Sequence, residues 1–302
     1  MTNSNNKIKI LIFEPYPMGL GGNFLTLKLI ISNIDLDSYE PLIVSPAEGA
    51  ALDYFRDIGI DCHVITPPGI LSSYGGKILN SSLFSRLLSI KSLISYNFQL
   101  YNFINKNKID LIYTNSVRAQ MSIALAALVA GVKTLMYIKG VLANPLIDRI
   151  CYITSSKILF FCEQNRDDQY PILTLFYKKK ISILPIGLDY NSILSVSNDE
   201  IINAKKELCI SSDDINIGIL AQLYPPKGQH FVIESLERII FNHPNAKLYL
   251  IGDHVIEEYR SYKVELMELI ERCNLKENVF FTGWRKDALA IAKSMDIIVN
   301  PS

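Results

Sequence analysis

The stretch Ile217–Gln229 reads IGILAQLYPPKGQ. Just ahead of and overlapping it, Ile215–Leu220 is a continuous apolar run with the length and residue types of a buried strand. Pro225-Pro226 breaks the run. Lys227-Gly228 is then expected to open a helix, because Phe231, Val232, Leu236, Ile239 and Ile240 recur at helical spacing. A strand that feeds a tight turn and then a helix N-terminus makes an anion site: the first helical N–H groups lack partners, and the helix dipole favours negative charge. Lys227 adds a full positive charge at that place. A Pro-Lys-Gly turn carrying only a solvated lysine fits the same residues, so both readings stand on spacing alone.

Composition sets the outer limits. A chain of 302 residues suggests about two domains, and 49% hydrophobic residues are enough for sizeable cores. Lys+Arg and Asp+Glu both total 30, so no global basic field calls for nucleic acid. Five cysteines (Cys62, Cys151, Cys162, Cys209 and Cys273) are scattered and never form CxxC. They read as reduced thiols, most of them buried, with no disulfide frame and no zinc site. The four histidines show no metal-ligand spacing, and no metal is expected. Glu14-Pro15 ends the first apolar run too early for a signal peptide. Ile123–Ile138, interrupted by Gly131 and Lys133, reads as helix, turn and strand in place of a membrane span. A cytoplasmic protein, at most peripheral on the membrane's cytoplasmic face, is expected.

Along the chain, Lys7–Phe13 reads as an opening strand, followed by PYPMGLGGN and a helical pattern from Phe24 through Ile31. Glycines at the head of that helix let the backbone approach a ligand closely. The spacing is not GxGxxG and no ribose-binding acid follows, which speaks against a nicotinamide site. Further strands are expected at Pro41–Ser45, Cys62–Ile65, Leu111–Tyr113, Thr134–Ile138, Ile158–Phe161 and Ile181–Leu184, with helices between most of them. Such βα repeats imply a parallel sheet covered on both faces, with loops at the strand ends lining a crevice. The polar stretch Ser195–Glu200 marks a boundary region. A second run has strands at Ile215–Leu220, Lys247–Ile251, Val279–Phe281 and Ile297–Val299, with helices opening near Lys227, Ile256 and Lys286.

One insertion differs. Cys62–Ile109 contains no acidic residue but holds Lys77, Arg86, Lys91, Lys106 and Lys108. Leu83, Leu87, Ile90, Ile94, Phe98, Tyr101 and Ile104 form an apolar stripe at spacings of three and four. A core-facing helix with a solvated basic face accounts for this. Peripheral contact with anionic lipid through 77–108, helped by Lys178-Lys179-Lys180, is the sharper alternative.

Four segments resemble, in order, the retaining GT-B glycosyltransferases of family 4, also called group 1: GILAQLYPPKGQ (Gly218–Gln229), AKLYLIGD (Ala246–Asp253), VFFTGWRKD (Val279–Asp287) and MDIIVNPS (Met295–Ser302). LPIGLD (Leu184–Asp189) is similar to the family's interdomain P-N-G-V-D, and Gly19–Asn23 to its N-terminal glycine loop. The resemblance implies an α/β GT-B fold of two Rossmann-like, doubly wound domains facing a cleft: 1–187 for the acceptor and 188–302, incomplete, for the nucleotide-sugar donor. It implies a sugar transferred from a nucleoside-diphosphate sugar, uridine in preference to guanosine, to a glycan or lipid-linked acceptor. The anomeric configuration is retained, no metal or cofactor takes part, and the setting is cell-surface polysaccharide synthesis.

By the same resemblance Lys227 is catalytic, stabilising charge on the departing diphosphate. Gln222, Gly228, Gly283, Trp284 and Arg285 join it around the donor, although a lone Trp also serves as a packing anchor. Gly21, Gly22, Asn115 and Lys139 are expected on the acceptor side.

The chain departs from the family at several points. Gln222 stands where many members have Arg, and so brings no charge to the diphosphate. His254 replaces a frequent glycine. YIKG (Tyr137–Gly140) replaces a segment with a histidine, leaving Lys139 available to an anionic group. The family's E-G-F-G and E-x7-E segments would follow Ser302, so a C-terminally truncated chain is expected. A non-catalytic sugar-nucleotide-binding or scaffold fragment is then the alternative reading. An epimerase of the same shape lacks a supporting Asp/Glu/His set.

Overall fold

The computed structural model describes residues 7–19, 21–68, 83–140, 144–254 and 259–302, and side chains outside 83–90. These residues fall into two compact units that divide between Leu188 and Asp189.

Unit 1 alternates strands and helices: β1 (Ile8–Phe13), α1 (Gly22–Asn33), β2 (Tyr39–Ser45), α2 (Ala50–Asp57), β3 (Asp61–Val64), α3 (Leu83–Asn107), β4 (Leu111–Thr114), α4 (Val117–Ala130), β5 (Lys133–Ile138), α5 (Pro145–Thr154), β6 (Lys157–Phe160), α6 (Glu163–Asp167), α7 (Pro171–Phe176) and β7 (Ile181–Ile183). The sheet order is β3-β2-β1-β4-β5-β6-β7, and every pair is parallel. Successive β1 side chains point to opposite faces. Leu11 and Phe13 pack with Leu100 and Ile104 of α3 and Ile123 of α4. Ile10 and Ile12 pack with Phe24 and Leu27 of α1 and Phe55 of α2. Both faces are therefore covered, which is why the strands read as near-continuous apolar runs.

Unit 2 comprises α8 (Tyr190–Leu194), α9 (Asn198–Glu207), β8 (Ile215–Leu220), α10 (Gln229–Ile240), β9 (Ala246–Ile251), α11 (Arg260–Arg272), β10 (Val279–Gly283), α12 (Ala288–Lys293) and β11 (Ile297–Ile298). Its parallel sheet runs β10-β9-β8-β11. Ile217, Ile219, Leu248 and Leu250 bury against Ile233 and Leu236 of α10 and Leu266 of α11, while Tyr249 and Ile251 meet Ala204 of α9 and Ile291 of α12. The polar stretch at Ser195–Glu200 folds as the start of α9, where Ser197 and Glu200 form a capping box. In both units the strand order reverses beside the first strand, which opens a crevice at the carboxyl edge of each sheet.

Three helical expectations need correction. On α3 the buried face is Tyr96, Asn97, Leu100 and Ile104, whereas Ile94 and Phe98 are 58% and 62% exposed. The displaced face includes a polar residue: Asn97 Oδ1 accepts the Ala126 backbone N–H of α4 at 3.1 Å. Small residues on α4 (Ala119, Ala126 and Ala127) allow the two helices to approach closely. The other positions of that insertion, Lys77, Arg86, Leu83, Leu87 and Ile90, lie outside the described side chains.

The helix expected at Lys227 begins two residues later. Pro225–Lys227 forms a 3-10 turn, Gly228 takes the left-handed conformation at φ 70°, and α10 starts at Gln229. On it Phe231 and Ile239 are exposed, while Gln229, Ile233 and Leu236 are buried. The third helix, expected near Ile256, starts at Arg260, and 255–258 lie outside the described residues. The thiols also differ from expectation: Cys151 alone is buried, and Cys209 is exposed.

Arg285 clamps unit 2. Its guanidinium donates to both Glu207 oxygens at the end of α9, at 2.5 and 2.7 Å, and to both Asp287 oxygens at 2.8 Å. These hydrogen bonds lower the proton affinity of both carboxyls. Their contribution to stability is present above the unfolded-state value near 4 and is lost as pH falls through the depressed folded-state values.

Two outcomes follow from this packing. Leu100→Ala is expected to destabilise unit 1 by about 2–5 kcal/mol and Phe98→Ala by less than about 0.5 kcal/mol, read from denaturant unfolding. Arg285→Met is expected to lower the Tm of unit 2 at pH 7, with the gap to the parent protein narrowing as pH falls below about 4. A gap that stays constant with pH would show that the clamp adds no ionic stabilisation.

Candidate functional site

The loops at the carboxyl edge of the unit 2 sheet are drawn together by backbone contacts. Ala221 N–H donates to the Ile251 carbonyl, Leu223 N–H to the Asp253 carbonyl at 3.2 Å, and Gly252 N–H to the Gly283 carbonyl at 3.0 Å. Gly252 sits at φ 139°, where a Cβ would collide with the Ala221 carbonyl oxygen. A Cβ on Gly228 would lie 2.8 Å from the Pro301 carbonyl oxygen, so this glycine combines a left-handed turn with a close backbone approach. The ends of β8, β9 and β10, with the segment after β11, thus form one rim.

The loop between β8 and α10 is held from inside. Gln229 is fully buried, and its Nε2 donates to the Gln222 carbonyl at 2.7 Å. Its Oε1 accepts from Tyr262 Oη at 3.4 Å, and Tyr262 Oη in turn pairs with His230 Nδ1 at 2.9 Å. This network fixes the α10 N-terminus at the rim. No side chain caps it, and its first turn contains no acid. The Lys227 backbone N–H donates to the Tyr224 carbonyl at 2.8 Å, but among the described residues its ammonium has no hydrogen-bond or ion-pair partner, so an anion there would meet that charge and the uncapped end of the helix.

The structure brings Gln222, Lys227, Gly228 and Gly283 to this rim. Trp284 follows Gly283 and is 59% exposed, so it anchors no core. Arg285 is beside it in sequence, but its guanidinium is committed to Glu207 and Asp287. Not singled out from sequence was the pairing around Asp253, whose carboxylate meets His254 Nδ1 at 2.9 Å and Lys263 Nζ at 3.5 Å. Its detectable signal was an acid immediately after a buried strand and a glycine.

In unit 1, Gly21 is the N-cap of α1 without a side-chain cap, and Gly22 begins the helix. Asn115 is buried at the end of β4, and its Nδ2 reaches the Asn23 carbonyl at 3.5 Å. Lys139 follows β5, and burial pulls its ammonium down to about 8 against the opposing charge of Glu14. Glu14, missed from sequence, is 2% exposed directly after β1. Among the described residues no group of His, Cys, Asp and Glu is arranged to hold a metal ion. None of their helices is long and apolar enough to cross a membrane.

Comparisons with known proteins place this geometry. Residues 214–302 match the family profile described as Glycosyl transferases group 1. The chain is 26% identical over 231 residues to the UDP-Gal:alpha-D-GlcNAc-diphosphoundecaprenol alpha-1,3-galactosyltransferase of Escherichia coli, covering 72% of this chain and 57% of that one. It is 32% identical over 123 residues to an uncharacterized glycosyltransferase of Methanocaldococcus jannaschii, 40% of this chain and 28% of that one. The chain thus spans little more than half the length of the Escherichia coli relative. Among solved structures, Anabaena Alr3699/HepE in complex with UDP and glucose aligns with a TM-score of 0.75 at 20% identity, over 98% of this chain and 74% of that one. A glycosyltransferase from Rickettsia africae aligns with a TM-score of 0.74 at 18% identity, over 98% and 73%. At those identities the likeness is one of fold. Residues 214–302 thus match the group 1, or family 4, glycosyltransferases, and the chain has the α/β GT-B fold.

Proposed function

We propose that this chain transfers a sugar from a uridine-diphosphate sugar to a glycan or lipid-linked acceptor, with retention of anomeric configuration, in the synthesis of a cell-surface polysaccharide. The observation that carries the reading is the uncapped, acid-free N-terminus of α10 with Lys227 beside it at the carboxyl edge of the sheet. Breaking the bond between sugar and diphosphate leaves negative charge on the departing oxygens. Lys227 and the first N–H groups of α10 stabilise that charge without reorganising, because the loop is already held by Gln229. Gln222 adds hydrogen bonding but no charge, so Lys227 is the cation on which the diphosphate relies. Trp284, exposed after Gly283, offers a flat surface to the nucleobase.

Unit 2 is assigned to the donor, and unit 1, with Gly21, Gly22, Asn115 and Lys139, to the acceptor. The Escherichia coli relative, named for a UDP-sugar donor and a diphosphoundecaprenol-linked acceptor, supports the same substrate classes here. A lipid-linked acceptor also suits work at the cytoplasmic face of a membrane. Exposed Ile94 and Phe98 with Lys91 on α3 support contact with anionic lipid there. Lys180 takes no part in it, because its Nζ donates to the carbonyls of Tyr152, Ile153 and Ser155 at the end of α5.

A panel of UDP-sugars with a prenyl-diphosphate-linked GlcNAc acceptor tests the assignment, reading both sugar transfer and donor hydrolysis. Lys227→Ala is expected to lower turnover by about 10²-fold or more with the thermal melt unchanged. Near-parental turnover in that variant would remove Lys227 from the site, and UDP binding without any turnover would favour the binding-module reading. In co-sedimentation with vesicles, Ile94→Glu/Phe98→Glu is expected to abolish binding to anionic lipid. Binding that ignores lipid charge and salt would refute the membrane contact.

A further inference from the structure

Three neighbouring strands in the middle of the unit 1 sheet each end in a polar side chain on the same face. Ile12 of β1, Tyr113 of β4 and Tyr137 of β5 all belong to the core packed under α1. Two residues further along each strand, and so on the same face, stand Glu14, Asn115 and Lys139. All three lie at the carboxyl edge; Glu14 and Asn115 flank the reversal between β1 and β4, Lys139 follows the adjoining β5, and Asn115 reaches the head of α1.

None of the three is fully used by the protein. Glu14 Oε1 accepts the Tyr16 backbone N–H at 2.8 Å, but Glu14 Oε2 has no partner. Asn115 Oδ1, Lys139 Nζ and the Tyr113 hydroxyl are likewise buried without hydrogen-bond partners, Lys139 Nζ resting 5.6 Å from the centre of the Tyr137 ring. Glu14 and Lys139 feel each other's charge but make no ion pair with each other. The Asn115 amide lies close enough to favour the carboxylate without completing a well-aligned hydrogen bond. Burial works against both charges, pushing the Glu14 carboxyl up and the Lys139 ammonium down.

Buried polar atoms in native proteins are nearly always paired, and four without a hydrogen-bond partner at one strand edge can serve a ligand together. The donor and acceptor inventory identifies its chemistry. A carboxylate, an amide oxygen, an ammonium and a phenol suit a group that both donates and accepts, which is what a hydroxyl does. A phosphate seated on Lys139 would also face the Glu14 carboxylate, which opposes an anion there.

We propose that Glu14, with Lys139, Asn115 and Tyr113, forms a subsite for the hydroxyl groups of an uncharged sugar, with one hydroxyl donating to Glu14 and accepting from Lys139. The proposal rests on unit 1 being the acceptor-binding unit of a glycosyltransferase. It makes Glu14 a determinant of acceptor specificity and gives Lys139 a neutral ligand in place of an anionic one. A site built to pair a hydroxyl rejects an analogue lacking it, because its own buried groups are then left unpaired.

Saturation-transfer NMR on the full chain tests this with the methyl α-glycosides of glucose, galactose, mannose and N-acetylglucosamine, alongside UDP. At least one glycoside is expected to bind the parent protein. Its signal should fall by about fivefold or more in both Glu14→Gln and Lys139→Met, while the UDP signal is unchanged. Both substitutions nearly preserve shape, and a thermal melt of each confirms folding. Loss of UDP binding with glycoside binding intact would defeat the donor assignment and leave this subsite standing. Absence of glycoside binding to the parent protein, or signals that survive both substitutions, would overturn the subsite; a fall in Tm with binding intact would make the cluster an internal polar contact.

Discussion

A parallel strand covered on both faces must leave the sheet at its carboxyl edge, and the helix that follows starts there with its first N–H groups unpaired. This constraint organises both units. In unit 1 it sets the head of α1 beside Asn115; in unit 2 it sets the head of α10 beside Lys227 and Gly228. The sheets supply rigidity, and the unsatisfied groups at their edges supply the chemistry.

The two edges are tuned differently. At α10 the loop is held by an uncharged buried network from Gln222 through Gln229 and Tyr262 to His230, which leaves Lys227 free to act as the local charge. Nearby carboxylates are already committed: Asp287 and Glu207 to Arg285, and Asp253 to His254 and Lys263. Lys227 is thereby a charge that this edge leaves unpaired. In unit 1 a carboxylate and an ammonium are buried near each other without an ion pair, which is the ground for the neutral ligand proposed there.

Much of this was legible in the residues. The apolar runs at Ile215–Leu220 and Lys7–Phe13 had the signature of doubly covered strands, and the described strands fall within two residues of expectation. Gly228, Gly252 and Gly283 mark the turns, since each has positive φ. Glu14 escaped notice because a single acid after an apolar run resembles any solvated loop residue. Its 2% exposure depends on residues distant in the chain, Asn115 and Lys139 among its neighbours. The α3 stripe was misread for a related reason. The helix is apolar over a broad arc, and the choice of face fell to Asn97, which binds a backbone N–H on α4.

By itself, the sequence determined the alternation of strands and helices, the parallel sheets, and the glycine-, proline- and lysine-bearing turns. Periodicity and backbone conformation are local properties that neighbouring residues settle. Tertiary structure alone decided which polar side chains became buried and unpaired, which arginine was consumed by carboxylates 78 residues away at Glu207, and which face of α3 met the core. Those outcomes depend on desolvation and on partners distant in the chain, and no local pattern encodes them.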